Sequence, residues 1–128
     1  MSLFPEERGS ELRQIFFDSA QELLQALNEE GLLLERRPGD AEIVRNVRRT
    51  VHTLKGDSAA CGYRELSELA HQLEDVLTPE VAGANGSGLA EVVLSAADMF
   101  DAMLTAYRGN MDAPPSEPLL ALIHKLQP

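Results

Sequence analysis

Four long stretches of this chain repeat their apolar residues every three or four positions, and none alternates in the two-residue rhythm of a strand. The first, about Glu11 to Glu35, places Leu12, Phe16, Ser19, Leu23, Leu27 and Leu34 on one face, widened by Phe17 and Leu24. Gly31 weakens its last turns, Arg37-Pro38-Gly39 stops it, and Asp40 is placed to cap the next helix. The second, about Ala41 to Cys61, gathers Ile43, Val44, Val47, Val51, Leu54, Ser58 and Cys61 within an arc of about 100°. Gly62 suits the left-handed residue that ends a helix. The third, about Arg64 to Leu77, carries Leu66, Leu69, Ala70, Leu73, Val76 and Leu77. Thr78 to Gly88, with Pro79 and several glycines, reads as a flexible loop with little to pack.

A fourth helix, about Leu89 to Arg108, shows Leu89, Val92, Val93, Ala96, Met99, Phe100, Met103 and Tyr107 on one face and closes at Gly109-Asn110. Beyond Asp112-Ala113-Pro114-Pro115, Ser116 is placed to cap a last helix carrying Leu119, Leu120, Ile123 and Leu126. The pattern predicts an all-α fold, an antiparallel up-and-down four-helix bundle with an additional C-terminal fifth helix. One domain is expected over 1–128, with the core bundle at about 11–109 and the extra helix at about 116–127.

A formal charge of −10 argues against nucleic acid as the main partner, because phosphate binding needs surplus Lys and Arg. No apolar run reaches the length of a membrane span, so no membrane contact is expected. The single cysteine makes no internal disulfide, which agrees with a cytoplasmic setting. Cys61 falls on the apolar stripe of the second helix and is expected to be a small buried hydrophobe. The basic residues are unevenly spread. Four of the eleven, Arg45, Arg48, Arg49 and Lys55, lie close around His52.

His52 should point about 135° from the centre of the apolar arc, into water. Arg48 and Lys55 flank it, while Gly56 and Ala59 leave open space beside it. A glycine inside a helix costs roughly 1 kcal/mol relative to alanine. Gly56 therefore points either to a partner that approaches the backbone closely or to a tight helix crossing. The third helix adds His71 and Glu74 on one side. Consecutive antiparallel helices lie side by side, so Glu74 can reach His52. A carboxylate that holds one ring N–H fixes the tautomer and leaves the other nitrogen with a free lone pair. Such an imidazole can attack a phosphoryl group, and Lys55 and Arg48 would offset the charge of the product.

Val51-His52-Thr53-Leu54-Lys55-Gly56, with Gly62 further on, resembles the H-x-x-K-G…G signature of histidine phosphotransfer (HPt) domains. The resemblance is closest to the phosphotransfer domain of chemotaxis histidine kinases. Phe16-Phe17-Asp18 with Glu22-Leu23-Leu24 is similar to the first helix of that family, and Ala70-His71-Gln72-Leu73-Glu74 to the segment with its second histidine and orienting glutamate. The resemblance implies that His52 is the phosphoacceptor, Glu74 orients it, Lys55 neutralises charge and His71 tunes the network. Arg48, Gly56 and Ala59 would belong to the docking face. No cofactor would be bound by the domain. ATP would supply the phosphoryl group through a separate histidine kinase catalytic domain, and a response-regulator receiver domain would accept it on an aspartate. Arg48, Asp57 and Cys61 depart from the family pattern.

Other readings compete with this one. The chain could be a phosphorelay intermediate rather than part of a chemotaxis-type kinase. A metal-binding bundle would use His52, His71 and Glu74, but lacks the paired Glu-x-x-His motifs of di-metal bundles. A purely structural interaction module would leave His52 unmodified. No nucleotide-binding loop is visible, so the chain is not expected to phosphorylate itself.

Overall fold

A computed structural model describes residues 5–86 and 88–126, so the ends of the expected 1–128 domain, and residue 127 of the expected last helix, lie outside the described residues. It contains six helices: α1 (Pro5–Arg36), α2 (Ala41–Ala60), α3 (Arg64–Val76), α4 (Pro79–Asn85), α5 (Gly88–Arg108) and α6 (Glu117–Leu126). The start of α1 meets the end of α5 through Arg13 and the Tyr107 carbonyl, and Gly31 near its end meets Leu94 near the start of α5. α1 and α5 are thus antiparallel, as are α2 and α3, where Lys55 meets Ser67 and His52 meets Glu74. α1, α2, α3 and α5 form the expected bundle, with α6 packed against both α3 and α5. No described helix is long and apolar enough to cross a membrane.

The core is mostly aliphatic, with Leu27, Leu34, Leu54, Leu73 and Met103 buried together with the aromatic Phe100. On α2, Val44, Val47, Val51 and Leu54 are fully enclosed. Each such side chain gains about 1.5–3 kcal/mol from burial, which fixes the rotation of α2 and turns position 52 outward. Asp40 caps this helix as expected, its carboxylate accepting from the Glu42 and Ile43 amides at 3.0 and 3.2 Å.

Four expectations need correction. α1 begins at Pro5 rather than near Glu11, and Leu12 is exposed instead of core. Leu12 lies about 80° from the centre of the buried stripe. Arg13 takes the inward position there, donating to the Tyr63 hydroxyl at 3.1 Å and lying over the Phe17 ring. Gly31 does not weaken the end of α1; it sits where α1 and α5 cross. A Cβ there would come within 2.7 Å of the Leu94 side chain. Cys61 is exposed because α2 ends at Ala60, leaving the cysteine at the cap beyond the buried stripe. Thr78–Gly88 is not a loop throughout. Thr78 caps α4 by accepting from the Val81 amide at 3.1 Å, Pro79 follows in the first turn, and Ala82 is buried. A Thr-Pro start, with the cap oxygen and a preset φ, outweighs the glycine further along.

Candidate functional site

The apolar stripe of α2 faces the core, so its polar residues Arg45, Arg48, Arg49, His52 and Lys55 ride on the outer side. α3 lies alongside and presents Glu74 from the edge of its own apolar stripe. Leu73 on one side and Val76 on the other are both buried, so the Glu74 carboxylate is held low, its side chain only 10% exposed. His52, by contrast, is 65% exposed. Its Nδ1 lies 2.8 Å from Glu74 Oε2, at hydrogen-bond distance. With Nδ1–H donating to the carboxylate, Nε2 carries the lone pair and faces outward.

Two cations share the carboxylate. Lys55 Nζ lies 2.7 Å from Oε1 in an ion pair, and Oε1 has no other partner. Arg48 Nε stands 3.9 Å from Oε2. Burial alone would push the Glu74 carboxyl up, but hydrogen bonding and charge from Lys55 and His52 outweigh it and hold the group below its ordinary 4.5. Glu74 therefore stays ionised beside the ring. The Lys55 backbone is fixed as well, since its carbonyl accepts from Ser58 Oγ at 3.1 Å and Ser67 Oγ at 3.2 Å.

Beside the imidazole is a shallow depression lined by Arg45, Arg48, Arg49, His52 and Glu74. On the next turn of α2, Gly56 and Ala59 are exposed, and nothing lies within 4 Å of the position a Gly56 Cβ would take. Gly56 therefore relieves no helix crossing, and the surface over it is open.

His52, Glu74, Lys55 and Arg48 are thus brought together. His71 is not joined to them. It is exposed, and its Nε2 is 3.8 Å from Asp75 Oδ2, one turn further along α3. Among the described residues no three His, Cys, Asp or Glu side chains cluster as metal ligands. Ser67 was missed by the sequence reading. Its signal is the seven-residue spacing to Glu74, two turns of one helix face turned toward α2.

A family model described as the Hpt domain matches residues 11–110. The chain is 49% identical to chemotaxis protein CheA of Bacillus subtilis over 63 residues, 49% of this chain and 9% of that protein. It is 35% identical to the CheA of Borreliella burgdorferi over 98 residues, 75% of this chain and 11% of that protein. With the CheA of Treponema pallidum it shares 29% identity over 130 positions, 99% of this chain and 16% of that protein. The chain therefore spans only a small part of the length of these relatives. With a reachable imidazole backed by a buried carboxylate, and a family match across all four bundle helices, the chain belongs to the Hpt (histidine phosphotransfer) domain family.

Proposed function

We propose that His52 carries a phosphoryl group between two other protein modules in chemotaxis-type two-component signalling. The observation that supports this most strongly is the 2.8 Å contact between Nδ1 of an exposed His52 and a buried Glu74. ATP, held by a separate histidine kinase catalytic domain, is the source; this domain binds no cofactor of its own. The Nε2 lone pair forms the N–P bond while the bond to the ADP leaving oxygen breaks and its electron pair departs with ADP. The ring keeps its Nδ1 proton and becomes cationic, and the ionised Glu74 stabilises that charge. In the second step an aspartate oxygen of a receiver domain attacks the same phosphorus. The N–P electron pair returns to the ring, leaving His52 neutral.

Lys55 and Arg48 supply positive charge on this face, and Gly56 and Ala59 leave room for the partner backbone. The similarity to CheA proteins supports the chemotaxis setting. Neither nucleic acid nor membrane is a partner in this reading. Incubation with a chemotaxis kinase catalytic domain and γ-labelled ATP tests it. The chain should gain acid-labile, base-stable label that a receiver domain then removes. Equal labelling of His52→Gln would reject His52 as acceptor.

A further inference from the structure

We infer that the two cations beside Glu74 have different tasks: Arg48 binds the transferred phosphoryl group, whereas Lys55 positions the carboxylate. This rests on the phosphotransfer reading above and divides its charge neutralisation between named side chains. Lys55 is committed. Its side chain is 26% exposed, it sits 2.7 Å from Oε1, and that buried oxygen has no other partner. Drawing the ammonium away toward a phosphoryl group would strand an ionised oxygen in a poorly solvated position, a costly exchange.

Arg48 is not committed. Its Nε is at 3.9 Å, the outer edge of an ion pair, and its side chain is 58% exposed. Arg48 also precedes His52 by one helical turn, so the two side chains are neighbours on the outer face of α2. The open depression beside the ring is lined by Arg48 together with Arg45 and Arg49, and Lys55 is not part of it. A guanidinium offers a planar fork of donors that grips two phosphoryl oxygens at once, which an ammonium does not. When the dianionic group arrives on Nε2, Arg48 can turn to it without unpairing anything, since Glu74 keeps His52 and Lys55.

Potassium phosphoramidate, a small donor that needs no kinase, tests the assignment on this chain. The Nε2 lone pair forms the new N–P bond as the P–N bond of the N-protonated donor breaks and ammonia leaves. Arg48→Gln should slow phosphohistidine formation roughly tenfold, less than a buried donor costs because the site is solvated. The Arg48 Nε–H resonance should move on phosphorylation, which a residue that merely steadies Glu74 would not show. Lys55→Gln should slow the reaction as Glu74→Gln does, and Lys55→Arg should restore it. Wild-type rates in Arg48→Gln, or a stationary Arg48 resonance, would overturn the assignment while leaving His52 as acceptor. If the wild-type chain takes phosphoryl neither from phosphoramidate nor from a kinase domain, both the assignment and the phosphotransfer reading fall. Should it react only with the kinase, the same rate ratio is read there and decides in the same way.

Discussion

His52 and His71 make a natural experiment within one small molecule. Both imidazoles are mostly exposed, 65% and 61%, and each has a carboxylate one helix turn or one helix away. The difference lies behind the rings. His52 faces a carboxylate only 10% exposed, at 2.8 Å, which is itself gripped by a lysine. His71 faces Asp75, 58% exposed, at 3.8 Å. A solvated pair of that kind along one helix contributes about 0.3–0.5 kcal/mol at best and leaves the ring free to turn. What sets the two imidazoles apart is the burial of the acid partner, not their own exposure.

The contrast can be broken or sharpened by substitution. His52→Gln should abolish acid-labile labelling altogether; persistence of that label, with loss in His71→Gln, would reverse the assignment. Glu74→Gln should slow phosphorylation roughly tenfold to a hundredfold, the cost of losing a carboxylate that orients an imidazole, with the helical circular dichroism unchanged. Gly56→Ala meets no neighbour in the isolated domain and should raise its stability by about 1 kcal/mol in denaturant melts. Stopped-flow transfer to a receiver should nevertheless be slower, because the added methyl occupies the approach.

The fourth test is acid melting. The folded-state value of Glu74 lies below its ordinary 4.5, so its ionised contacts contribute fully above about that pH. Their contribution is lost as pH falls through the lowered value. The melting difference between wild type and Glu74→Gln should therefore change below 4.5 and stay flat above it. Glu30, where burial outweighs a hydrogen bond from Thr50 and pushes the carboxyl up, has the opposite sign and should be mutated to Gln in both backgrounds. The smallest effect is expected from His71→Gln, a change in labelling rate of less than about twofold if its pair with Asp75 stands alone.

Much of this was legible in the chain itself. The stripe of α3 and, up to Ser58, that of α2 follow from the sequence, because long amphipathic segments bounded by Asp40, Gly62 and Pro79 leave little choice of rotation. Those rotations alone put His52 outside and Glu74 within its reach. Less legible were features set by neighbours. Leu12 looks like a core residue, and only the inward turn of Arg13 toward Tyr63 and Asn110 shows why it is exposed. Gly31 reads as a weak point until Leu94 is seen against it. Cys61 was misplaced by a single residue of helix length. The short α4 was hidden by its glycines, although Thr78-Pro79 carried the start signal. The separation of His71 from the cluster depended on side-chain direction, which a spacing of three residues along a helix does not fix.

The turn Cys61-Gly62-Tyr63 joins the only two helices that supply Arg48, His52, Lys55, Ser67 and Glu74. Closing so short a loop loses little chain entropy, so these groups can meet early in folding and meet again readily after local opening. The chemistry is therefore portable: a helical hairpin of this kind, set on a different pair of supporting helices, keeps its internal register. The remaining helices are left free to drift in sequence or to take on other binding duties without disturbing the imidazole.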